Sequence, residues 1–262
     1  HVEEIPAREA LYGEDVVSDP RVTQALRALG LDRLYAHQSE AIQHIHSGQS
    51  VVIVTGTASG KTLCYTIPTL EAILENPNAT MLYIYPTKAL AQDQLRGLSQ
   101  FIEVSSDIDF LAGTYDGDTP QSLRRRLRDK GNVILTNPDM LHQGILPHHS
   151  RWNRFFANLR YVVLDEVHAY RGVFGSHVAN TIRRLRRICR HYGSRPQFVS
   201  SSATIANPRE HACRICGTEM TLVNRDGSPR GRKLFALWNP PLLERRGRGP
   251  KPLAGGDRRS SL

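Results

Sequence analysis

The chain has 262 residues, 40% of them hydrophobic, enough to close one large core or one core with an appendage. Its formal net charge of +9 permits nucleic-acid binding without requiring it. No run of about 18 apolar residues occurs and the start lacks the charged-then-apolar pattern of a signal peptide, so neither membrane insertion nor secretion is expected and a cytoplasmic address follows.

In chain order, apolar runs rich in Val, Ile and Tyr alternate with segments of helical length and period. The expected strands are 51–55 (VVIVT), 81–85 (MLYIY), 109–113 (DFLAG), 132–136 (NVILT), 161–165 (YVVLD), 197–201 (QFVSS) and 220–224 (MTLVN). Fully apolar strands separated by crossover helices imply a parallel sheet covered on both faces, that is, a doubly wound α/β domain. From about Arg225 the text turns to RDGSPRGRKLFALWNPP and then to a Gly/Pro/Arg-rich stretch, which reads as a turn, one more strand and a linker. The tail 241–262 carries six Lys/Arg against Glu244 and Asp257. The expected division is an N-terminal extension over 1–50, a nucleotide-binding domain over 51–224, and a strand with a basic linker over 225–262. The chain opens on His1 and closes on DRRSSL, so it reads as a piece of a longer protein.

Residues 51–66, VVIVTGTASGKTLCYT, pose the central question. A phosphate-binding loop is usually G-x-x-x-x-G-K-[ST], and here Thr55 stands where the first glycine belongs. The surroundings still supply what the motif needs: a strand, a tight run of small residues, and a helix opening at Lys61 and Thr62. Backbone N–H groups over Thr57, Ala58, Ser59 and Gly60 can wrap a phosphate, with the helix dipole behind them. Lys61 would reach the β- and γ-phosphates of ATP, and Thr62 would place its hydroxyl on Mg²⁺.

A second acidic element ends the strand 161–165, in YVVLDEVH. In a parallel sheet the carboxyl ends of the strands face the ligand crevice. Asp165 would hold Mg²⁺ there, directly or through water, and Glu166 would orient and polarise the attacking water. Taken alone, the same two residues read as an acidic loop capping the next helix.

In order, GTASGKT, PTKALAQDQ (86–94), TNPDM (136–140), DEVH (165–168) and SAT (202–204) resemble motifs I, Ia, Ib, II and III of superfamily 2 helicases of the DEAD/DEAH type, over almost the whole chain up to about Asn224. LYAHQSEAI is similar to the upstream Q motif, which implies that Gln38 reads the adenine edge with Tyr35 near the ring. The stretches IPAREALYG, DEVHAYRGVFGSHVANTIRRLRRICRHYGS and DGSPRGRKLFALWNPP resemble the mitomycin-repair-factor type of DNA-repair helicases.

This resemblance implies an ATP-driven DNA translocase built on a RecA-like fold, with single-stranded or forked DNA as partner. It also implies a second RecA-like domain, which would supply an arginine to the transferring phosphoryl group and which this stretch does not contain. The isolated chain would then bind Mg-ATP and hardly turn it over. An RNA-remodelling ATPase of the DEAD-box kind and a non-catalytic nucleic-acid-binding module are the alternatives.

The same motifs place nucleic-acid contacts at Pro86, Thr87 and Lys88, at Thr136, Pro138 and Asp139, and at Thr114 in GTYDGDTP (113–120), a run that reads equally as a turn-rich loop. His168, Ser202 and Thr204 would couple the γ-phosphate state to that side. The arginine clusters LRRRLRDK (123–130) and IRRLRRICRH (182–191) could grip a phosphate backbone or form solvated outer helix faces, and the second reading is preferred, with Ile182, Leu185, Ile188 and Cys189 as the buried stripe of the second cluster. Cys213-x-x-Cys216 with His211 supplies only one pair where a structural zinc usually needs two, so these cysteines, like Cys64 and Cys189, are expected to pack as small apolar residues. Four cysteines this scattered make no disulfide scaffold.

Overall fold

The strand Val51–Val54 is buried along its whole length. Alternate residues serve opposite faces of the sheet: Val51 and Ile53 enter one apolar cluster, Val52 and Val54 the other. Burying a side chain such as Ile53 contributes about 1.5–3 kcal/mol, so a strand apolar on both sides is stable only between two helical layers.

The computed structural model describes residues 2–238. In chain order its elements are β1 (Val2–Ile5), α1 (Pro20–Ala28), α2 (Ala36–His46), β2 (Val51–Val54), α3 (Leu63–Glu75), β3 (Thr80–Ile84), α4 (Lys88–Val104), β4 (Ala112–Thr114) and α5 (Gln121–Lys130). There follow β5 (Val133–Thr136), α6 (Pro138–Met140), α7 (Asn153–Ala157), β6 (Leu159–Leu164), α8 (Gly172–His191), β7 (Gln197–Ser202), α9 (Pro208–Cys216), β8 (Thr221–Val223) and β9 (Lys233–Ala236). A π-helical turn at Leu141–Ile145 and a 3₁₀ segment at Leu146–Trp152 join α6 to α7.

The chain forms two compact units. The larger, Ala10–Ser228, holds a seven-stranded sheet of order β4-β5-β3-β6-β7-β2-β8 whose pairings are all parallel. This is the doubly wound α/β architecture. One face is covered by a cluster containing Val22, Ile42, Ile67, Leu70 and Leu98 from α1 to α4. The other is covered by Leu127, Trp152, Phe155, Ile182 and Ile215, drawn from α5 to α9 and their connections. The smaller unit comprises residues 1–9 and 229–262, and its described part is an antiparallel pairing of β1 with β9, Val2 opposite Ala236. The expected basic linker over 241–262 lies outside the described residues.

Helix starts follow from their capping residues. Asp19 accepts from the Arg21 amide ahead of Pro20 at the first turn of α1, and the Arg21 side chain holds its carboxyl below the usual range. The Thr87 hydroxyl accepts from Leu90 N at the start of α4, and Asn137 Oδ1 from Met140 N at α6.

The strand expected at 109–113 begins only at Ala112. The Asn132 side chain accepts from Leu111 N at 3.1 Å, and Asn132 N donates to Leu111 O, so a side chain replaces the ladder before the strand proper starts. No described helix is long and apolar enough to cross a membrane.

Candidate functional site

Strands β6, β7 and β2 are consecutive in the sheet and parallel, so Asp165, the Ser201–Ser202 pair and the loop after Val54 emerge at one edge. The loop is held by its own side chains. Thr55 Oγ1 and Ser59 Oγ are 2.6 Å apart and both buried, so the residue replacing the first glycine closes the loop through a hydroxyl pair. Ala58 (φ 58°) and Gly60 (φ 76°) are left-handed, a backbone pattern of the kind that forms anion-binding concavities. At Gly60 a side chain is excluded twice, by that φ and by Gln38 Nε2, 2.6 Å from where a Cβ would stand. Lys61 Nζ lies back across the loop, donating to Gly56 O at 2.7 Å and Thr55 O at 3.2 Å.

Gln38 ties this loop to the segment before it: its Oε1 accepts from Tyr35 N at 2.8 Å, at the start of α2, and its Nε2 donates to Gly60 O at 2.9 Å. Tyr35 stands in an aromatic stack, 5.6 Å from Tyr12 and 6.0 Å from His37, with the Arg33 guanidinium 3.8 Å above Tyr12.

Asp165 is buried and held from three sides. Ser201 Oγ donates to Oδ1, the Glu166 amide donates to Oδ1 at 2.9 Å, and Tyr65 OH donates to Oδ2 at 3.3 Å. Burial pushes the Tyr65 hydroxyl well above the usual tyrosine range, and the neighbouring Asp165 charge adds to this, so Tyr65 stays a donor. The helix that follows the phosphate loop is thereby bonded to the acidic strand end.

Glu166 has φ 52° and ψ 43°, an uncommon conformation for a non-glycine residue. Its Oε2 lies 3.1 Å from His168 Nδ1, the same nitrogen that accepts from Ala203 N at 3.1 Å. While Nδ1 accepts from Ala203 it carries no proton for Glu166, so His168 is bonded to the segment after β7, which ends at the exposed Thr204, and only adjoins the Glu166 carboxylate. Ser202 is fully buried with its hydroxyl on Ala203 O.

Loop and carboxylate fit a magnesium-bound triphosphate. The loop offers small side chains, left-handed turns at Ala58 and Gly60 and one ammonium, with a hydroxyl at Thr62 and the Asp165 carboxylate bonded to Tyr65 of the following helix. No group of three or more His, Cys, Asp or Glu among the described residues could hold a metal alone. Mg²⁺ is commonly held by one or two protein oxygens completed by phosphates and water.

The residues expected to face nucleic acid fall at the ends of β3, β4 and β5. Thr87 and Lys88 are exposed at the start of α4, with Pro86 beside them, and Lys88 Nζ pairs with Asp118 at 2.6 Å across the 113–120 loop. That hydrogen bond raises the Lys88 pKa. Thr136 and Thr114 are buried: the Thr136 hydroxyl donates to Tyr115 O at 2.7 Å, and Thr114 Oγ1 accepts from Gln92 Nε2 at 2.9 Å. They hold neighbouring loops together, while Asp139 is exposed and Pro138 buried below it. Cys216 is buried with its thiol pushed up to about 12, and His211 Nε2 lies 3.0 Å from Val167 O, so the Cys/His cluster is engaged with the core.

Three residues here escaped sequence reasoning. Tyr65 and Ser201 hold Asp165, and Asp226 Oδ2 accepts from the Gly56 amide at 3.3 Å. Strand alternation was a usable signal for Ser201, since with Val199 it occupies the alternate positions of β7. Nothing local announces Asp226, which lies 170 residues from Gly56.

The DEAD/DEAH box helicase family profile matches residues 35–211. The chain belongs to this family. A helicase of the family from Bacillus subtilis, "Uncharacterized ATP-dependent helicase YprA", is 52% identical over 87% of this chain and 30% of its own length. The "ATP-dependent helicase hrq1" of Schizosaccharomyces pombe is 44% identical over 91% of the chain and 23% of its own length. The solved structure "DUF1998 helicase MrfA bound to DNA and AMPPNP" superposes with a TM-score of 0.90 at 51% identity, over 93% of this chain and 34% of that one. These relatives meet the resemblance to the mitomycin-repair-factor type, and the chain spans about a third or less of their lengths.

Proposed function

We propose that the full-length protein is an ATP-dependent DNA helicase or translocase acting in DNA repair, and that this chain is its first RecA-like motor domain. The observation that carries the reading is the Lys61 loop standing beside Asp165, joined through the Tyr65 hydroxyl. The relatives' names support it, as does MrfA, whose solved structure contains DNA and AMPPNP.

In this reading residues 51–224 form the nucleotide-binding domain, 1–50 bring the Gln38 and Tyr35 segment against it, and 225–262 lead toward a second RecA-like domain. Bound Mg-ATP supplies the phosphoanhydride whose hydrolysis drives movement. Thr57 to Gly60 cradle the phosphates, Lys61 offsets their charge, and Thr62 with Asp165 holds the metal. Glu166 orients and polarises the attacking water, with His168 carrying its position to Ser202 and Thr204. Thr87, Lys88 and Asp139 contact the backbone of single-stranded or forked DNA, positioned from behind by Pro86, Thr114, Thr136 and Pro138; such contacts carry no sequence preference. The location is cytoplasmic. Without the arginine of a second domain, the chain alone binds Mg-ATP and turns it over slowly.

The test is ATP turnover by the full-length protein with no nucleic acid, single-stranded DNA or single-stranded RNA, beside Lys61→Ala and Glu166→Gln. Stimulation by DNA that both substitutions abolish is the expected result. Stimulation by RNA alone would transfer the protein to an RNA-remodelling role.

A further inference from the structure

The first arginine cluster is not a uniformly solvated face. On α5 the buried residue is Leu127, and Arg124 and Arg128 flank it half-buried, while Arg125 and Arg126 are exposed. The two inward arginines line a recess of about 220 Å³, closed on its other side by His148 and Arg151 from the 3₁₀ segment before α7. Gln121 and Tyr115 complete its polar rim, and no carboxylate lines it among the described residues. Arg128 Nε pairs at 3.2 Å with the exposed Asp129.

Arg124 is held rigidly for its role. Its Nη2 donates to Asp116 O at 2.6 Å and Gly117 O at 3.0 Å, and the guanidinium lies 5.6 Å from the Tyr115 ring centroid. Its Nε is buried and has no hydrogen-bond partner in the described structure, and a buried donor without an acceptor is costly. Apart from that buried nitrogen, three guanidiniums and an imidazole around one small recess suit an anion with several acceptor oxygens.

We propose that this recess binds a backbone phosphodiester of the nucleic acid, extending the strand's path beyond Lys88 and Asp139. Continuity selects this ligand. Tyr115 adjoins Thr114 in the 113–120 loop, the same loop that Arg124 grips, and Met140, which also lines the recess, follows Asp139 directly. This inference rests on the nucleic-acid reading given above.

The test measures single-stranded DNA affinity of the full-length protein against salt concentration. Neutralising a true phosphate contact lowers the slope of log K against log salt by about 0.7 per contact for single strands. The double variant Arg128→Gln/Arg151→Gln is expected to lose about 0.7 from that slope, one phosphate contact, whereas Arg187→Gln/Arg190→Gln, which removes the same charge from the exposed side of α8, leaves it unchanged. Arg128→Lys/Arg151→Lys keeps the slope, and equal melting temperatures exclude unfolding as the cause.

A slope change equal in the two double variants overturns the proposal. So does stabilisation by inorganic phosphate, lost in the recess variant, with no change in slope, which would make this a free-anion site. Failure of the wild-type protein to bind DNA would overturn the nucleic-acid reading itself and this inference with it.

Discussion

Thr55 and Ser59 face each other across the phosphate loop, hydroxyl to hydroxyl, at 2.6 Å. A glycine at position 55 would leave Ser59, which is buried, with no such partner and the strand end freer to move. The departure from the usual loop pattern is thus replaced by a staple.

Thr55→Ala is therefore expected to weaken Mg-ATP binding by about five- to tenfold, the equivalent of one buried hydrogen bond of about 1 kcal/mol. Thr55→Ser should retain most of the affinity. Titration with a fluorescent ATP analogue separates the two; equal affinities for the Ala and Ser variants would mean that the hydroxyl does nothing.

Glu71 on α3 accepts from Ser18 N at 2.6 Å and Ser18 Oγ at 2.7 Å, and its Oε2 lies 2.7 Å from His46 Nε2. Burial works to raise its pKa, but the hydrogen bonds from His46 and Ser18 outweigh it and hold the carboxyl below 4.5. A folded-state pKa below the unfolded one gives stability that is present above pH 4.5 and lost as pH falls through the folded value. The melting-temperature gap between wild type and Glu71→Gln should be widest near neutral pH and narrow below pH 4.5. A gap independent of pH would show that shape alone matters there.

Asp118 places a carboxylate 2.6 Å from Lys88, on the rim assigned to backbone phosphates. Asp118→Asn frees the ammonium and removes a repelling charge. Single-stranded DNA should bind about two- to fivefold tighter at low salt, a small gain because exposed ion pairs are weak, and the gain should fade as salt rises. Weaker binding would mean that the pair positions the 113–120 loop and that this role dominates.

The parallel sheet was legible because runs such as Val51–Val54 and Val162–Leu164 are apolar on both faces, a pattern a half-exposed strand does not show. The crevice was legible for the same reason: a loop of small residues and an acidic pair each follow such a run. The start of β4 was not, because the Asn132 side chain takes over a backbone ladder position. Nor was the inward turn of Arg124 and Arg128: composition marks them as charged, and only their positions beside Leu127 assign them to the edge of the buried stripe. Asp226 was missed because a contact with Gly56 joins segments that no local pattern relates.

The central claim is that Lys61 and Asp165 together hold Mg-ATP. Its most direct test is Mg²⁺-dependent binding of a fluorescent ATP analogue to wild type, Lys61→Ala and Asp165→Asn. Saturable binding is expected in the wild type, a loss of tenfold or more with Lys61→Ala, and a loss of the Mg²⁺ dependence with Asp165→Asn. Binding that is unchanged in both variants would contradict it.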